Sequence, residues 1–274
     1  MAGTLYLVAT PIGNLGDLTF RAREVLSSVS FVACEDTRRS RVLLDHYGIR
    51  KELLSLPAFA EGERAGRILD RLAGGEDCAV VTDAGSPGIS DPGEKLVAEA
   101  LERGLRVIPV PGASAVVAAL SASGLPTGRF HFLGFLPRKG PERRAILEEV
   151  KPLRATLVLY ESPRRLGETL AELRDVLGER RACVAREITK LHEEFSRGTL
   201  SQLASAYESA EVLGEVVVIV EGRTGSGRWS EEEVRRALEE GLARGEKLKT
   251  LSREIARQAG WSGQEVYRLG LKGG

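Results

Sequence analysis

The chain has 274 residues, 42% hydrophobic and 28% charged, the balance of a globular protein with room for one large domain or two of ordinary size. Lys+Arg and Asp+Glu number 39 each, so the net charge is zero and global electrostatics point to no polyanionic partner, while a local basic patch stays possible. No apolar run approaches the ~20 residues of a membrane span, and MAGTLYLVATP lacks the basic start of a signal peptide, so the expected location is the cytoplasm.

Strand-length apolar runs alternate with helical-period segments from the beginning. TLYLVAT leads to the helix FRAREVLSSV, FVACED to a helix around SRVLLDHYG, and ELLSLP to ERAGRILDRLAGG. CAVVTDAG then precedes EKLVAEALERG, and LRVIPVPG precedes SAVVAALSASG. Strands apolar throughout, separated by helices, predict a mostly parallel sheet covered on both faces over residues 1–121.

The Gly- and Pro-rich stretch SGLPTGRFHFLGFLPRKGP interrupts the alternation and reads as a domain junction. A second α/β domain is expected over 122–223. HEEFSRGTL follows RACVAREITK too closely for a crossover helix, so this pair should be antiparallel and the sheet mixed. TGSGR (224–228) resembles a linker, and 224–274 is expected to be a helical tail.

Cys34, Cys78 and Cys183 lie far apart in apolar runs, the pattern of buried reduced thiols, and no Cys/His cluster suggests a metal. Arginine supplies 31 of the 39 basic residues, and Met and Asn occur once each, a bias that thermophily and a GC-rich genome explain equally well. The single asparagine, Asn14, stands in TPIGNLGDLT after the first strand, where it could make the turn itself or serve a ligand.

VTDAGSPGISDPG (81–93) is thirteen residues of Gly, Pro, small and acidic side chains between a strand and a helix. Ordinary βα connections use about 2–6 residues, and glycine lets backbone amides approach a ligand closely. VPGAS opens the next helix, with Ser114 placed to cap it or to donate to a ligand. There is neither GxGxxG after the first strand nor GxxxxGK[ST]. The strand-end loops carry Glu35, Asp36, Asp83 and Asp91, which suit hydroxyls, amines or a cation such as a sulfonium better than a polyphosphate.

TPIGNLGD, ACEDTRRS, VTDAGSPGISDPG, PVPGAS, FLGFLPRKG, LVLYESPRR and REITKLHEEFSRG, in that order, resemble the ribosomal RNA small subunit methyltransferase I family of tetrapyrrole-methylase-like enzymes. The resemblance spans about residues 4–223. It implies an α/β fold of two domains with S-adenosylmethionine in the cleft between them, and homodimers. The implied reaction is methylation of a cytidine ribose 2′-hydroxyl in the decoding region of 16S rRNA. Carried over by position, the cofactor would meet Pro11, Ile12 and Gly13, then Asp83, Ala84, Gly85, Ser86 and Ile89, then Ser114, Ala115, Tyr160 and Glu161. Asn14 falls in a motif that by this resemblance lines the cleft, in a loop-orienting role. Many members carry histidines and an asparagine where Pro57, Phe59 and Ala60 stand, so those groups are no required base here.

A ribose hydroxyl is a weak acid, and a nearby base or cation should assist its methylation. REITKLHEEF gathers Arg186, Glu187, Lys190, His192 and Glu193; Lys190 with a pKa lowered by burial, or Glu187, could take the proton, the alternative being an ion-paired strand surface. His46 and His131 are expected to be packing residues. For RNA phosphates the candidates are Arg38, Arg39 and Arg41, Arg138 and Lys139, and Arg164 and Arg165. In the tail, Ala256, Gly260 and Val266 follow a helix-turn-helix spacing, and from Arg244 onward seven basic and three acidic residues give a net +4. Arg257 is the tail's candidate RNA contact. Open alternatives are a tetrapyrrole or other acceptor, a helical dimerisation or capping tail, and a nucleic-acid regulator acting through it.

Overall fold

The computed structural model describes residues 1–57, 61–210, 212–224 and 229–271; Phe59, Ala60 and 225–228 of the expected linker lie outside the described residues. The chain divides into two compact units, Met1–Gly222 and Arg223–Gly274.

In the first unit β1 (Thr4–Val8), α1 (Phe20–Ser28), β2 (Phe31–Cys34), α2 (Thr37–His46), β3 (Glu52–Ser55) and α3 (Glu61–Ala73) follow one another. β4 (Cys78–Val81), α4 (Glu94–Glu102), β5 (Arg106–Val110) and α5 (Ala115–Ala122) complete the first half. The strands form a parallel sheet in the order β3-β2-β4-β1-β5. β2 (FVAC) and β4 (CAVV) are buried at every position, as apolar strands covered on both faces should be. Pro109, which has no N–H to give to a further ladder, sits on the edge strand β5. α3 and α4 cover one face around Ile68, Leu69, Leu72, Leu96 and Ala100; Ala22, Leu26 and Leu44 of α1 and α2 cover the other.

The second sheet has the order β6-β7-β10-β8-β9. Its strands are β6 (Phe130–Phe135), β7 (Thr156–Glu161), β8 (Arg181–Arg186), β9 (Glu194–Thr199) and β10 (Val216–Val220). β6 and β7 are parallel; β10 runs antiparallel to β7 and β8, and β9 antiparallel to β8, giving the mixed sheet expected from the short connection. α6 (Pro141–Val150), α7 (Leu166–Leu177) and α8 (Leu200–Tyr207) supply one face of its core. The other face is filled from the first half: Ile12 and the α5 residues Val116, Ala119 and Leu120 pack on Val158, Cys183, Ala185, Val217 and Ile219. The two sheets therefore share a hydrophobic core beneath the cleft that separates their strand ends.

In the second unit α9 (Glu231–Ala243) begins with a Ser230/Glu233 capping box and packs with α10 (Leu248–Ala259) and α11 (Gly263–Leu271). Gly241 allows α9 close to α10, since a Cβ there would stand 2.5 Å from Leu251 Cδ2. Gly260 ends α10 at φ 67°, while Ala256 and Val266 are buried in the small core. No helix among the described residues is long and apolar enough to cross a membrane.

Leu69 is fully buried in the first core. Leu69→Ala should lower the free energy of unfolding by about 2–5 kcal/mol, read from urea titrations followed by circular dichroism.

Candidate active site

The carboxyl ends of β1, β2, β4 and β5 face the second sheet and carry the site's first wall. Such strand ends are where open α/β sheets hold ligands. A two-residue ladder joins two of the loops: Thr10 N donates to Gly85 O at 2.8 Å and Gly85 N to Thr10 O at 3.1 Å. Thr10 Oγ1 also donates to Thr82 O at 3.1 Å. The long loop turns back through Gly85, Gly88 and Gly93, whose φ values of 79°, 80° and 131° a side chain would resist. Ser114 caps α5, its oxygen accepting from Val117 N at 3.5 Å.

These loops and the second sheet enclose a cavity of about 540 Å³. Ile12, Asp83, Ala84, Gly85, Ser86 and Ile89 line it from the first half, with Ser114 and Ala115. Tyr160 and Glu161 close it from the second half, with Phe135, Ile188 and Glu215. Of the expected cofactor residues, Pro11 and Gly13 stand apart from it. They line an adjoining compartment of about 220 Å³ together with Leu15, Ser40, Leu43 and Lys190. Ile12, Arg39, Asp83, Ala84 and Glu215 line both spaces and form their shared wall.

The walls are acidic. Burial pushes Asp91 up to about 6, helped by the nearby charges of Glu35 and Asp83, and burial followed by Asp83 raises Glu35. Burial, then Asp91 and Glu215, raises the Tyr160 phenol. Asp83 Oδ2 is paired with Arg39 Nη1 at 3.1 Å, whereas Asp83 Oδ1 is buried with no hydrogen-bond partner in the protein.

Three sequence expectations need correction. Lys190 is no base of lowered pKa: its Nζ donates to Glu187 Oε1 at 2.8 Å and Glu215 Oε2 at 3.1 Å. Desolvation pulls its pKa down, but the two carboxylates outweigh it and the net shift is upward; the Lys190 ammonium in turn lowers Glu187. His46 and His131 are exposed rather than buried in the core, His46 with its ring edge-on to Tyr47. Glu161 cannot offer its carboxylate to the cavity, because its side chain is 0% exposed and fully engaged. Oε1 accepts from Ser162 N and pairs with Arg165 Nη2, both at 2.6 Å. Oε2 accepts from Thr169 Oγ1 at 2.6 Å and faces Arg143 Nη1 at 3.6 Å.

Asn14 is exposed and caps the 3-10 turn Leu15–Asp17, its Oδ1 accepting from Gly16 N at 3.0 Å, so its part is to shape the loop. Among the arginines, Arg38 is exposed and bonded to Asp36, whose carboxyl it holds down to about 2. Arg39 belongs to the cavity wall, Arg41 donates to Lys51 O at 3.3 Å, and Arg165 to the Glu161 cluster. Arg138, Lys139 and Arg164 are exposed on the second half, and Arg257 is exposed on α10 of the other unit. Sequence reasoning missed Glu215 and the Arg39–Asp83 pair; the available signal for Glu215 was a Gly–Glu step directly before the apolar run VVVIV.

The chain matches the Tetrapyrrole (Corrin/Porphyrin) Methylases over residues 4–204. It is 44% identical to Ribosomal RNA small subunit methyltransferase I of Halalkalibacterium halodurans over 272 residues, 97% of this chain and 94% of that one. To the protein of that name from Mesorhizobium japonicum it is 52% identical over 218 residues, 79% of this chain and 74% of the other. The chain belongs to the ribosomal RNA small subunit methyltransferase I family. Fold likeness reaches beyond this family. A diphthine synthase superposes with TM-score 0.63 at 16% identity, covering 81% of this chain and 91% of its own. Uroporphyrin-III C-methyl transferase from Thermus thermophilus, complexed with S-adenosyl homocysteine, gives 0.58 at 21%, covering 80% and 97%. The tetrapyrrole-methylase fold expected from the sequence is the fold observed.

Within this family's cleft the Glu161 cluster is structural: removing the carboxylate would leave the half-buried Arg165 without its anion, take an acceptor from the buried Thr169, and leave the buried Arg143 with Glu172 alone. Glu161→Ala should destabilise the fold by about 3–5 kcal/mol in urea denaturation, a loss typical of breaking a buried pair from one side.

Proposed function

We propose that this protein transfers a methyl group from S-adenosylmethionine to the ribose 2′-hydroxyl of a cytidine in the decoding region of 16S rRNA. The observation that carries the reading is the convergence of the family's motif blocks on one cavity with a second compartment at its wall. A methyl transferase acting on a large acceptor needs such a pair of spaces, one for each reactant.

The residues fit the cofactor. A sulfonium is a cation, and Glu35, Asp83 and Asp91 surround the cavity with negative charge. The unpartnered Asp83 Oδ1 offers a buried acceptor to an amine or hydroxyl. Ile89, 51% exposed, and Phe135, 58% exposed, give an apolar surface for a flat base. We assign binding to Asp83, Ala84, Gly85, Ser86, Ile89, Ser114, Ala115 and Tyr160, with Ile12 at the floor and Pro11 and Gly13 on the acceptor side. When bound, the cofactor supplies an electrophilic methyl on a good leaving group, so the protein's tasks are to orient the hydroxyl and exclude water.

The exposed cations Arg38, Arg138, Lys139 and Arg164 are suited to phosphate contacts, and Arg257 in the helical unit to a further one. We assign the first half, 1–121, and the second, 122–223, to opposite walls of the cofactor cleft, and the tail from 224 to RNA capture. A homodimer is part of the proposal.

Labelled cofactor, with 30S subunits and naked 16S rRNA from cells lacking this gene, tests it. 2′-O-methylcytidine identified by mass spectrometry is the expected product, and Asp83→Ala should abolish it while the far-ultraviolet spectrum stays unchanged. Absence of label in both RNAs would contradict the reading. The Asp91 carboxyl at about 6 gives a second expectation. It is ionised above that pH and favours a cation there. From about pH 7.5 to about pH 5 calorimetric affinity for S-adenosylmethionine should fall several-fold, and affinity for the uncharged thioether product should fall less.

A further inference from the structure

The wall between the two compartments is built around one carboxylate that neither the motifs nor the family resemblance singled out. Glu215 lines both spaces, where among the cavity's other carboxylates only Asp83 does. Asp83 is paired with Arg39, and its other oxygen is the buried one assigned above to the cofactor. The Glu215 side chain is 67% exposed, and its Oε2 is held by Lys190 Nζ at 3.1 Å. Glu187 Oε1 fixes the arrangement from behind, accepting from Lys190 Nζ at 2.8 Å and from Glu215 N at 3.0 Å.

Two glycines make room for this set. At Gly13 a Cβ would stand 2.6 Å from Lys190 Cγ, and at Gly214, φ 91°, it would collide with the Glu187 carboxylate. Glu187 and Thr189 take φ values of 50° and 69°, a region non-glycine residues avoid unless the surroundings impose it. Backbone strain and two absent side chains thus serve to place one lysine and, through it, one carboxylate at the boundary.

We propose that Glu215 is the catalytic residue that accepts the ribose 2′-hydroxyl proton, and that Lys190 and Glu187 are positioning residues that hold its carboxylate toward the acceptor compartment. This rests on the functional reading above. Glu215 receives the hydroxyl hydrogen as the ribose oxygen takes the methyl group. One O–C bond forms, one S–C bond breaks, the sulfur leaves neutral, and the proton sits on the carboxyl until water removes it. Lys190, charged across the neutral range, keeps one oxygen occupied so that the other meets the hydroxyl.

The test compares wild type, Glu215→Gln and Glu215→Ala on 30S subunits lacking the modification. Transfer by Glu215→Gln should fall roughly 10²–10⁴-fold, with affinity for S-adenosylhomocysteine within about twofold of wild type. A readout independent of turnover uses S-adenosylhomocysteine-loaded protein. Wild type should bind 30S subunits roughly tenfold tighter than subunits reconstituted with 2′-deoxycytidine at the target. Glu215→Ala should lose that discrimination. Equal transfer by wild type and Glu215→Gln, or discrimination retained by Glu215→Ala, overturns the assignment alone. No transfer by wild type overturns the functional reading and this inference with it.

Discussion

The absence of a side chain at Gly13 is the constraint on which the charged wall of the cleft depends. Lys190 comes from the loop between β8 and β9 of the second sheet and lies across Gly13 in the loop after β1, where Cγ and Cε occupy the space a Cβ would need. That crossing brings a charged group of one half over the backbone of the other, above the shared core of Ile12, α5 and the second sheet. A larger residue at 13 would have to displace the Lys190 side chain, and with it the ammonium that holds Glu187 and Glu215 at the wall between the two spaces. The chain's remaining features around the cleft read as support for this spacing: the Thr10–Gly85 ladder fixes one loop to the next, and Asn14 holds the turn that follows.

Charge is distributed by depth. Behind the cavity, Glu161 is buried and paired with Arg143 and Arg165, which offset the cost of its desolvation and make the cluster expensive to break from one side. At the cavity surface the carboxylates outnumber their partners. Asp91 and Glu35 are raised by burial first and then by neighbouring carboxylates, Asp83 among them in both cases, and Asp83 leaves one buried oxygen without a donor. An arrangement of this kind is destabilising by itself and is relieved by a cationic ligand, which places the electrostatic demand of the site where the cofactor's positive sulfur would answer it. The exposed Arg38, Arg138 and Arg164 line neither space, and water reaches them there as phosphate could.

The sheets were legible because buried strands such as FVAC, CAVV and VVVIV leave no polar face to confuse with anything else. The long loop at 81–93 was legible from its length and glycines. The role of individual charges was not, because a charge in sequence carries no information about its partner. Lys190 could be a buried base or an ion-paired cation, and only the distances to Glu187 and Glu215 decide. Glu161 sits within a conspicuous motif, yet its oxygens are consumed by Arg143, Arg165 and Thr169, two of them reached from other helices. Glu215 is a common residue at the start of a strand, and its place on the shared wall arises from contacts made across more than twenty residues of chain. His46 and His131 looked apolar by neighbourhood, but in helices and strands adjacent residues point to different faces, and both emerge exposed.

The most direct test of this account is a crystal structure of the protein with S-adenosylhomocysteine. The account predicts the ligand in the larger cavity, its sulfur beside the wall formed by Asp83, Ala84 and Glu215 and facing the compartment under Lys190. A sulfur turned toward Phe135 and away from that wall, or a ligand bound elsewhere, would contradict it.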